Sequence, residues 1–234
     1  TDVTIIEMMS QVLPVEDADI VKELNRSLRR QKLKVLTDTK VTGVQVEEGG
    51  VAVMAETPKG EKTIKAEKLV VAIGVSPNTT GLGLEEVGVE LDRGFIKIDG
   101  FCKTSAPSIY AIGDVAGPPL LAHKASAEAL VCVDKIAGLK TEPVNMNRIP
   151  GCTYCNPQVA SVGMTEQAAR DAGVDVLIGT FQFRANGRSI AMNETEGVVK
   201  LIFDRADNNR LVGAHIMHAM ASELIAELGV VLTM

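Results

Sequence analysis

Asp114 closes an apolar run, "SIYAIGD" (108–114). Gly117, Pro118 and Pro119 follow it, and from Leu120 or Leu121 the spacing becomes helical. A carboxylate leaving a parallel strand at its carboxyl end sits where open α/β sheets take ligands, and a short acceptor there suits a polyol chain such as flavin ribityl. The helix start adds unpaired backbone N–H groups and about half a positive charge, which favours an anionic partner. Reduced flavin collects negative charge at its N1–C2=O edge, so a helix start aimed there stabilises the reduced state. Pro118 and Pro119 suit the place before the helix because they have no N–H to satisfy. The same residues also describe a plain cap, Asp114, and an ordinary helix carrying His123. Physics alone does not separate these two readings.

A second acid, Glu7, ends the short apolar stretch "VTIIE" (3–7). At the tip of the second strand of a nucleotide-binding fold, a carboxylate accepts two hydrogen bonds from a ribose 2′,3′-diol and repels a 2′-phosphate. No Lys or Arg stands between residues 7 and 21, so in such a fold the cofactor is NAD and not NADP. Taken alone, Glu7 is also simply an acid that ends a strand. Gly74, closing "VVAIG" (70–74), lets backbone approach a ligand or a neighbouring strand closely because it has no Cβ; a plain strand-to-loop transition describes it equally.

Three further features carry less. "CTYC" (152–155) has half of a zinc-ligand spacing, but no second pair exists. His215 and His218 are three apart on a segment that reads as strand into loop. Met8, Met9 and the other methionines read as core filler. No metal site is expected.

The elements that would position these residues follow from periodicity. Strand 3–7 is followed by a helix with Ile20, Leu24 and Leu28 on one face. A β-meander around the turns "EEGG" and "TPKG" leads to a continuous apolar strand at 69–73. "FIKID" and "SIYAIGDV" read as strands, and "LLAHKASAEALVCVDKIAGLK" as a helix closing at Gly138. Beyond about 147, antiparallel strands, a hairpin at "DRADNNR" and helices at 165–172 and from about 220 appear. The fold class is α/β: a partial Rossmann-like nucleotide domain (1–72), a central segment (73–146) and an α+β domain (147–234).

At 234 residues and net charge −6, with no basic cluster denser than Arg29, Arg30, Lys32 and Lys34, a nucleic-acid partner is excluded. The longest apolar run is far short of the ~20 residues that span a bilayer. Four cysteines without framework spacing fit a reducing compartment, bacterial cytoplasm or mitochondrial matrix. The chain opens directly on a strand and stops inside an apolar helical pattern, so both ends are expected to be cut from a longer protein.

"TSAPSIYAIGDVAGPPLLAHKASAEA" (104–129) resembles the second flavin motif of the pyridine nucleotide–disulfide oxidoreductases. "VVAIGVSPNTTGLGLEEVGVEL", "TYCNPQVASVGMTE" and "LVGAHIM" resemble that family too, in the right order, and the likeness covers essentially the whole chain. It is greatest for the branch that oxidises dihydrolipoyl groups. The resemblance implies FAD and NAD as cofactors. It makes Glu7 the adenosine-ribose ligand, with Val41 and Gly74 along the NAD path, and Asp114 the ribityl ligand. Leu120, Leu121, Ala122 and His123 would line the flavin chiefly through backbone. Residues from about 147 would form a homodimer interface, and lipoyl groups of 2-oxoacid dehydrogenase or glycine-cleavage complexes would be the electron donors.

The family's redox cysteine pair, its two glycine fingerprints and its terminal His–Pro segment have no counterpart in these 234 residues, so no catalytic residue is assigned and the chain alone is expected to be inactive. "MHAMASELI" departs from the Gly- and Pro-rich run usual in the family. A sibling flavin disulfide reductase, or a non-catalytic dimerising or nucleotide-binding module, is the alternative.

Overall fold

Strand β1 (Thr4–Ile6) pairs in parallel with β2 (Lys34–Leu36), Ile5 opposite Val35, and helix α1 (Ala18–Arg30) connects them. Asp17 caps α1 by accepting the Asp19 N–H at 3.0 Å. Ile20, Val21, Leu24 and Leu28 form its buried stripe as the spacing predicts, each burial contributing about 1.5–3 kcal/mol. This is a βαβ unit. The meander follows as β3 (Lys40–Glu47), β4 (Gly50–Thr57) and β5 (Gly60–Ala66), turning at Gly49 and Gly60, whose φ values are +83° and +107°.

The computed structural model describes residues 1–233, which form two compact units, 1–71 with 150–233, and Ala72–Ile149. Two expectations fail where they meet in sequence and just beyond. The apolar run 69–73 is not a strand: it has no ladder partner among the described residues, and Val70 and Ile73 are 85% and 92% exposed. A strand buried on both faces needs neighbours on both edges, and the described chain supplies neither. In the Ala72–Ile149 unit, only β6 (Leu91–Asp92) and β7 (Phe95–Ile96) are regular strands. "SIYAIGDV" contributes one isolated bridge, Lys103 to Tyr110, before a 3₁₀ turn at Gly113–Ala116. Asp114 therefore leaves a turn and not a parallel strand. Helix α2 (Ala122–Ile136) ends before Gly138, at φ +74°, as the sequence reading has it. Val89, Ile96, Ala106 and Ala111 form this unit's core.

The last third is a five-stranded antiparallel sheet built from β8 (Gly151–Thr153), β9 (Gln158–Gly163), β10 (Val176–Gln182), β11 (Val198–Asp204) and β12 (Arg210–His218). Its spatial order is β10-β11-β12-β9-β8. Short helices α3 (Glu166–Asp171) and α4 (Gly187–Ala191) lie within it in sequence, and α5 (Ala221–Val231) follows it. Strand alternation gives the sheet two apolar faces. Val159, Val198 and Met217 pack under α1, whereas Ala160, Val162, Ala214 and Ile216 pack against Ile225 of α5 and Phe183.

On the α1 face Lys200, His215 and Ser161 stand in one cross-strand row. Lys200, 2% exposed, bonds Asp17 Oδ1 at 2.8 Å, Asp19 Oδ2 at 2.7 Å and Glu166 Oε2 at 2.7 Å. Asp17 Oδ2 also accepts the Glu166 N–H at 3.0 Å. Ser161 donates to Glu16 at 3.1 Å, and His215 Nε2 lies 2.9 Å from the Met164 carbonyl, which fixes that nitrogen as the N–H. Burial opposes charge on Asp17, yet the hydrogen bonds from Lys200 and from the N–H groups of Glu166 and Asp19 hold its carboxyl below the usual 3.8. Burial likewise opposes charge on Lys200, and its three carboxylates more than offset this.

Lys200→Met should cost about 3–5 kcal/mol in urea denaturation, because it strands a buried carboxylate. Lys65→Ala, which breaks the exposed pair with Glu47, should cost about 1 kcal/mol or less. A depressed folded pKa means that the Asp17 contribution is intact above pH 3.8 and is lost as pH falls through its folded value. Wild type should therefore lose stability on the acid side more steeply than Lys200→Met, and parallel acid limbs would contradict the assignment.

Candidate functional site

Asp114 stands in the first turn of the Gly113–Ala116 3₁₀ segment, exposed, between two glycines in the left-handed region, Gly113 at φ +76° and Gly117 at +103°. Pro118 and Pro119, joined by a cis bond, lead into Leu121, whose N–H bonds the Pro119 carbonyl at 3.0 Å. Leu121 is the N-cap of α2 and offers no side-chain cap, and the first helical turn holds no acid. The positive end of a helix fifteen residues long is thus left without a side-chain counter-charge of its own.

Asp114 and Leu120 line one half-open cavity of about 310 Å³, together with Val115, Phe95 and the Val75–Asn78 loop. Leu120 is the residue before the α2 N-cap, whereas Leu121, Ala122 and His123 are not among the residues that line this space. Leu121 is half-buried, and Ala122 and His123 are exposed at the head of α2. Gly74, one residue before the cavity wall at Val75, has φ +98°, and a Cβ there would meet nothing within 4 Å. Glycine is needed at 74 for backbone conformation and not for room.

Glu7 lies in the other unit, just past β1. Its N–H extends the parallel pairing to the Leu36 carbonyl at 2.8 Å, and its own carbonyl accepts the Thr39 N–H at 3.0 Å. Its Oε1 accepts the Met9 N–H at 2.8 Å, which orients the carboxylate at the carboxyl end of the β1–β2 pair. Val41, half-exposed, is the second residue of β3, two beyond Thr39 and next to a bulge between Val41 and Gly43. Glu7 and Val41 therefore share one end of the βαβ unit. Asp114, Leu120, Leu121, Ala122, His123 and Gly74 belong to the Ala72–Ile149 unit.

Sequence reasoning passed over the side chains that hold the Asp114 turn. Lys124 and Glu128, one turn apart on α2 and 1% and 0% exposed, form an ion pair at 3.0 Å. Lys124 also donates to the carbonyls of Gly113 at 3.1 Å and Gly117 at 2.7 Å, and Glu128 Oε2 accepts the Gly113 N–H at 2.7 Å. The available signal was the spacing of Lys124, Glu128 and Cys132, which share one helical face. That face is the buried one, whereas Leu130 and Val133 point to solvent.

The four cysteines are all free thiols. Cys152 packs with the α5 face of the sheet and Cys155 with the α1 face, so "CTYC" divides its two thiols between opposite sides. His218 stacks on Phe183 at 3.8 Å between ring centroids, and its Nδ1 accepts the Met220 N–H at 3.2 Å. Burial, with the charges of Glu128, Cys132 and Asp99 adding to it, pushes the Cys102 thiol up to about 11. Burial also raises Cys132, Cys152 and Cys155. None is an activated thiolate.

Residues 1–129 match the family model described as pyridine nucleotide-disulphide oxidoreductase, and residues 149–234 match that family's dimerisation domain. A dihydrolipoyl dehydrogenase of Rhizobium etli is 49% identical over 226 residues, which are 96% of this chain and 47% of that protein. The LpdA crystal structure from Mycobacterium tuberculosis superposes with a TM-score of 0.90 at 28% identity, covering 100% of this chain and 50% of that one. The HOCl-induced flavoprotein disulfide reductase RclA of Escherichia coli gives 0.88 at 29% identity over 99% and 53% of the two chains. The chain spans about half the length of the relatives it matches. No helix among the described residues is long and apolar enough to cross a membrane.

With a thiol pKa of about 11, about one Cys102 side chain in a thousand is thiolate at pH 8. Iodoacetamide labelling followed by peptide mapping should therefore modify Cys102 last among the four cysteines. Early labelling of Cys102 would refute its burial.

Proposed function

Because the chain belongs to the pyridine nucleotide-disulphide oxidoreductase family, we propose that it supplies part of the FAD site, part of the NAD site and the dimer-forming domain of a dihydrolipoyl dehydrogenase. The observation that carries this reading is the cavity that Asp114 shares with Leu120, the residue just before the N-cap of α2. FAD, when bound, relays an electron pair between a dithiol and NAD⁺. The residues present fit part of such a group. A cavity of about 310 Å³ takes a ribityl chain and the ring edge beside it, not a whole dinucleotide.

On this reading Asp114 accepts hydrogen bonds from ribityl hydroxyls, and the uncapped N-terminus of α2 faces the ring edge on which negative charge develops. Leu120 and Phe95 supply apolar lining to that space. Gly74 supports the path of NAD, and Leu121, Ala122 and His123 lie along the flavin. In the other unit Glu7, oriented by the Met9 N–H, accepts the two hydroxyls of the NAD adenosine ribose, with Val41 beside it. The domain from 149 onward makes a homodimer. Dihydrolipoyl groups of 2-oxoacid dehydrogenase or glycine-cleavage complexes are the donors, in bacterial cytoplasm or mitochondrial matrix, where free thiols persist.

No two of the cysteines at 102, 132, 152 and 155 are separated by four residues, so the redox disulfide of the reaction is not among these residues. The purified 234-residue chain should accordingly give no NADH from dihydrolipoamide and NAD⁺, and turnover would overturn that part of the proposal. In the full-length native protein, visible absorbance should report bound flavin. Asp114→Ala should weaken FAD, and Glu7→Gln should weaken NAD, each by about tenfold or more, as expected for loss of a charge-assisted hydrogen bond. Unchanged affinities in both would sink the assignments.

A further inference from the structure

Lys124 and Glu128 are buried as completely as any side chain in the structure, and nearly every hydrogen bond they make ends on the turn that carries Asp114. Lys124 donates to the Gly113 and Gly117 carbonyls, and its ammonium stands 3.0 Å from Glu128 Oε1 as an ion pair without hydrogen-bond geometry. The remaining Glu128 oxygen takes the Gly113 N–H. Both backbone groups of the residue before Asp114, and the carbonyl three residues after it, are thereby tied to one helix face.

Steric exclusion does not shape this turn by itself. Gly113 and Gly117 both occupy the left-handed region, and glycine visits other regions as readily. A Cβ on Gly113 would lie 3.4 Å from Ala125 Cβ, so the turn rests directly on the first turns of α2, whereas a Cβ on Gly117 would meet nothing within 4 Å. Without external ties, Asp114 would sample several directions relative to the helix start.

A buried ion pair is a costly way to fill space, since an apolar pair of the same volume is often as stable or more so. What the pair adds is directionality: three hydrogen bonds aimed at defined backbone atoms. α2 turns Leu130 and Val133 to solvent while burying Lys124 and Glu128, the reverse of the order that hydrophobicity alone would give. The pair is neutral as a unit, so it fixes the turn without adding net charge beside the cavity.

We propose that the Lys124–Glu128 pair is the positioning device that holds Asp114 in register with the start of α2 for a ribityl chain. The inference rests on the flavin reading given above. A binding constellation must be held to about half an ångström by its supporting shell, and a small misplacement can cost orders of magnitude.

The test uses the full-length native protein and the double variant Lys124→Met, Glu128→Leu, which exchanges the ion pair for an apolar pair of similar length. Three quantities are measured: thermal midpoint, amide hydrogen exchange at residues 113–117 in the flavin-free protein, and FAD affinity together with the shape of the bound-flavin absorption band. The double variant should melt with the wild type. Its 113–117 amides should exchange faster, its FAD affinity should fall by about tenfold or more, and its flavin band should lose fine structure.

Glu128→Gln keeps length and an acceptor while removing the charge, and serves if the double variant does not fold. It should show the same loosening and weaker FAD, with a lowered thermal midpoint because the buried Lys124 ammonium loses its carboxylate, so exchange and affinity are compared with wild type well below that midpoint. Wild-type FAD affinity and wild-type exchange protection in a folded variant would reduce the pair to core filling and overturn the inference alone. Failure of the wild-type protein to bind FAD would instead overturn the flavin reading and this inference with it.

Discussion

One ammonium group, Lys200, holds the N-terminal βαβ unit to the sheet made by the last third of the chain. Asp17 caps α1 and receives Lys200, and the same carboxylate receives the Glu166 N–H, so helix start, strand β11 and helix α3 meet at one residue. The apolar stripe of α1 beds on Val159, Val198 and Met217 beside it. Hydrophobic burial supplies attraction without direction, and the ionic contacts supply the direction. Since α1 sets where β2 returns beside β1, the orientation of Glu7 at the carboxyl end of that pair depends on a lysine far away in sequence.

Lys124 repeats the arrangement in the other unit. Each lysine has three oxygens within 3.1 Å of its ammonium, each is almost wholly buried, and each ties a helix N-terminus to a segment that could not fix itself. The difference lies in the acceptors. Lys200 meets three carboxylates and joins distant elements; Lys124 meets one carboxylate and two carbonyls and acts within a single loop–helix turn. Removing either partner would strand a buried charge, so both devices act as units and not as sums of contacts.

What could be read from the residues divides along the same line. α1, the meander, the hairpin near "DRADNNR" and α2 follow from periodicity and turn chemistry, which are local. The apolar runs at 69–73 and 108–112 do not become ladders, because a strand is a property of its neighbours and apolar sequence alone specifies no partner. Around the candidate site, Asp114 and the helix start were legible, because an acid, two prolines and a helical pattern lie together in sequence. Glu128 and Lys124 were not, since polar residues on a helix are read as its solvent side. Lys200 and Asp17 were out of reach of any spacing rule, because their contact is made only when the sheet closes on α1.

The two acids singled out from the sequence share a physical task, on the proposed reading. Glu7 and Asp114 each present a short acceptor to sugar-like hydroxyls, and neither would touch the ring atoms that exchange electrons. Anchoring through hydroxyls fixes a cofactor's position while leaving its electronics to other groups, here the dipole at the head of α2. That division explains why these residues can be strongly positional yet carry no perturbed nucleophile, and why the thiols among them are buried and raised instead of activated. Chemistry placed elsewhere demands accurate placement here: each acid is held by backbone and by buried charge because its whole contribution is geometric.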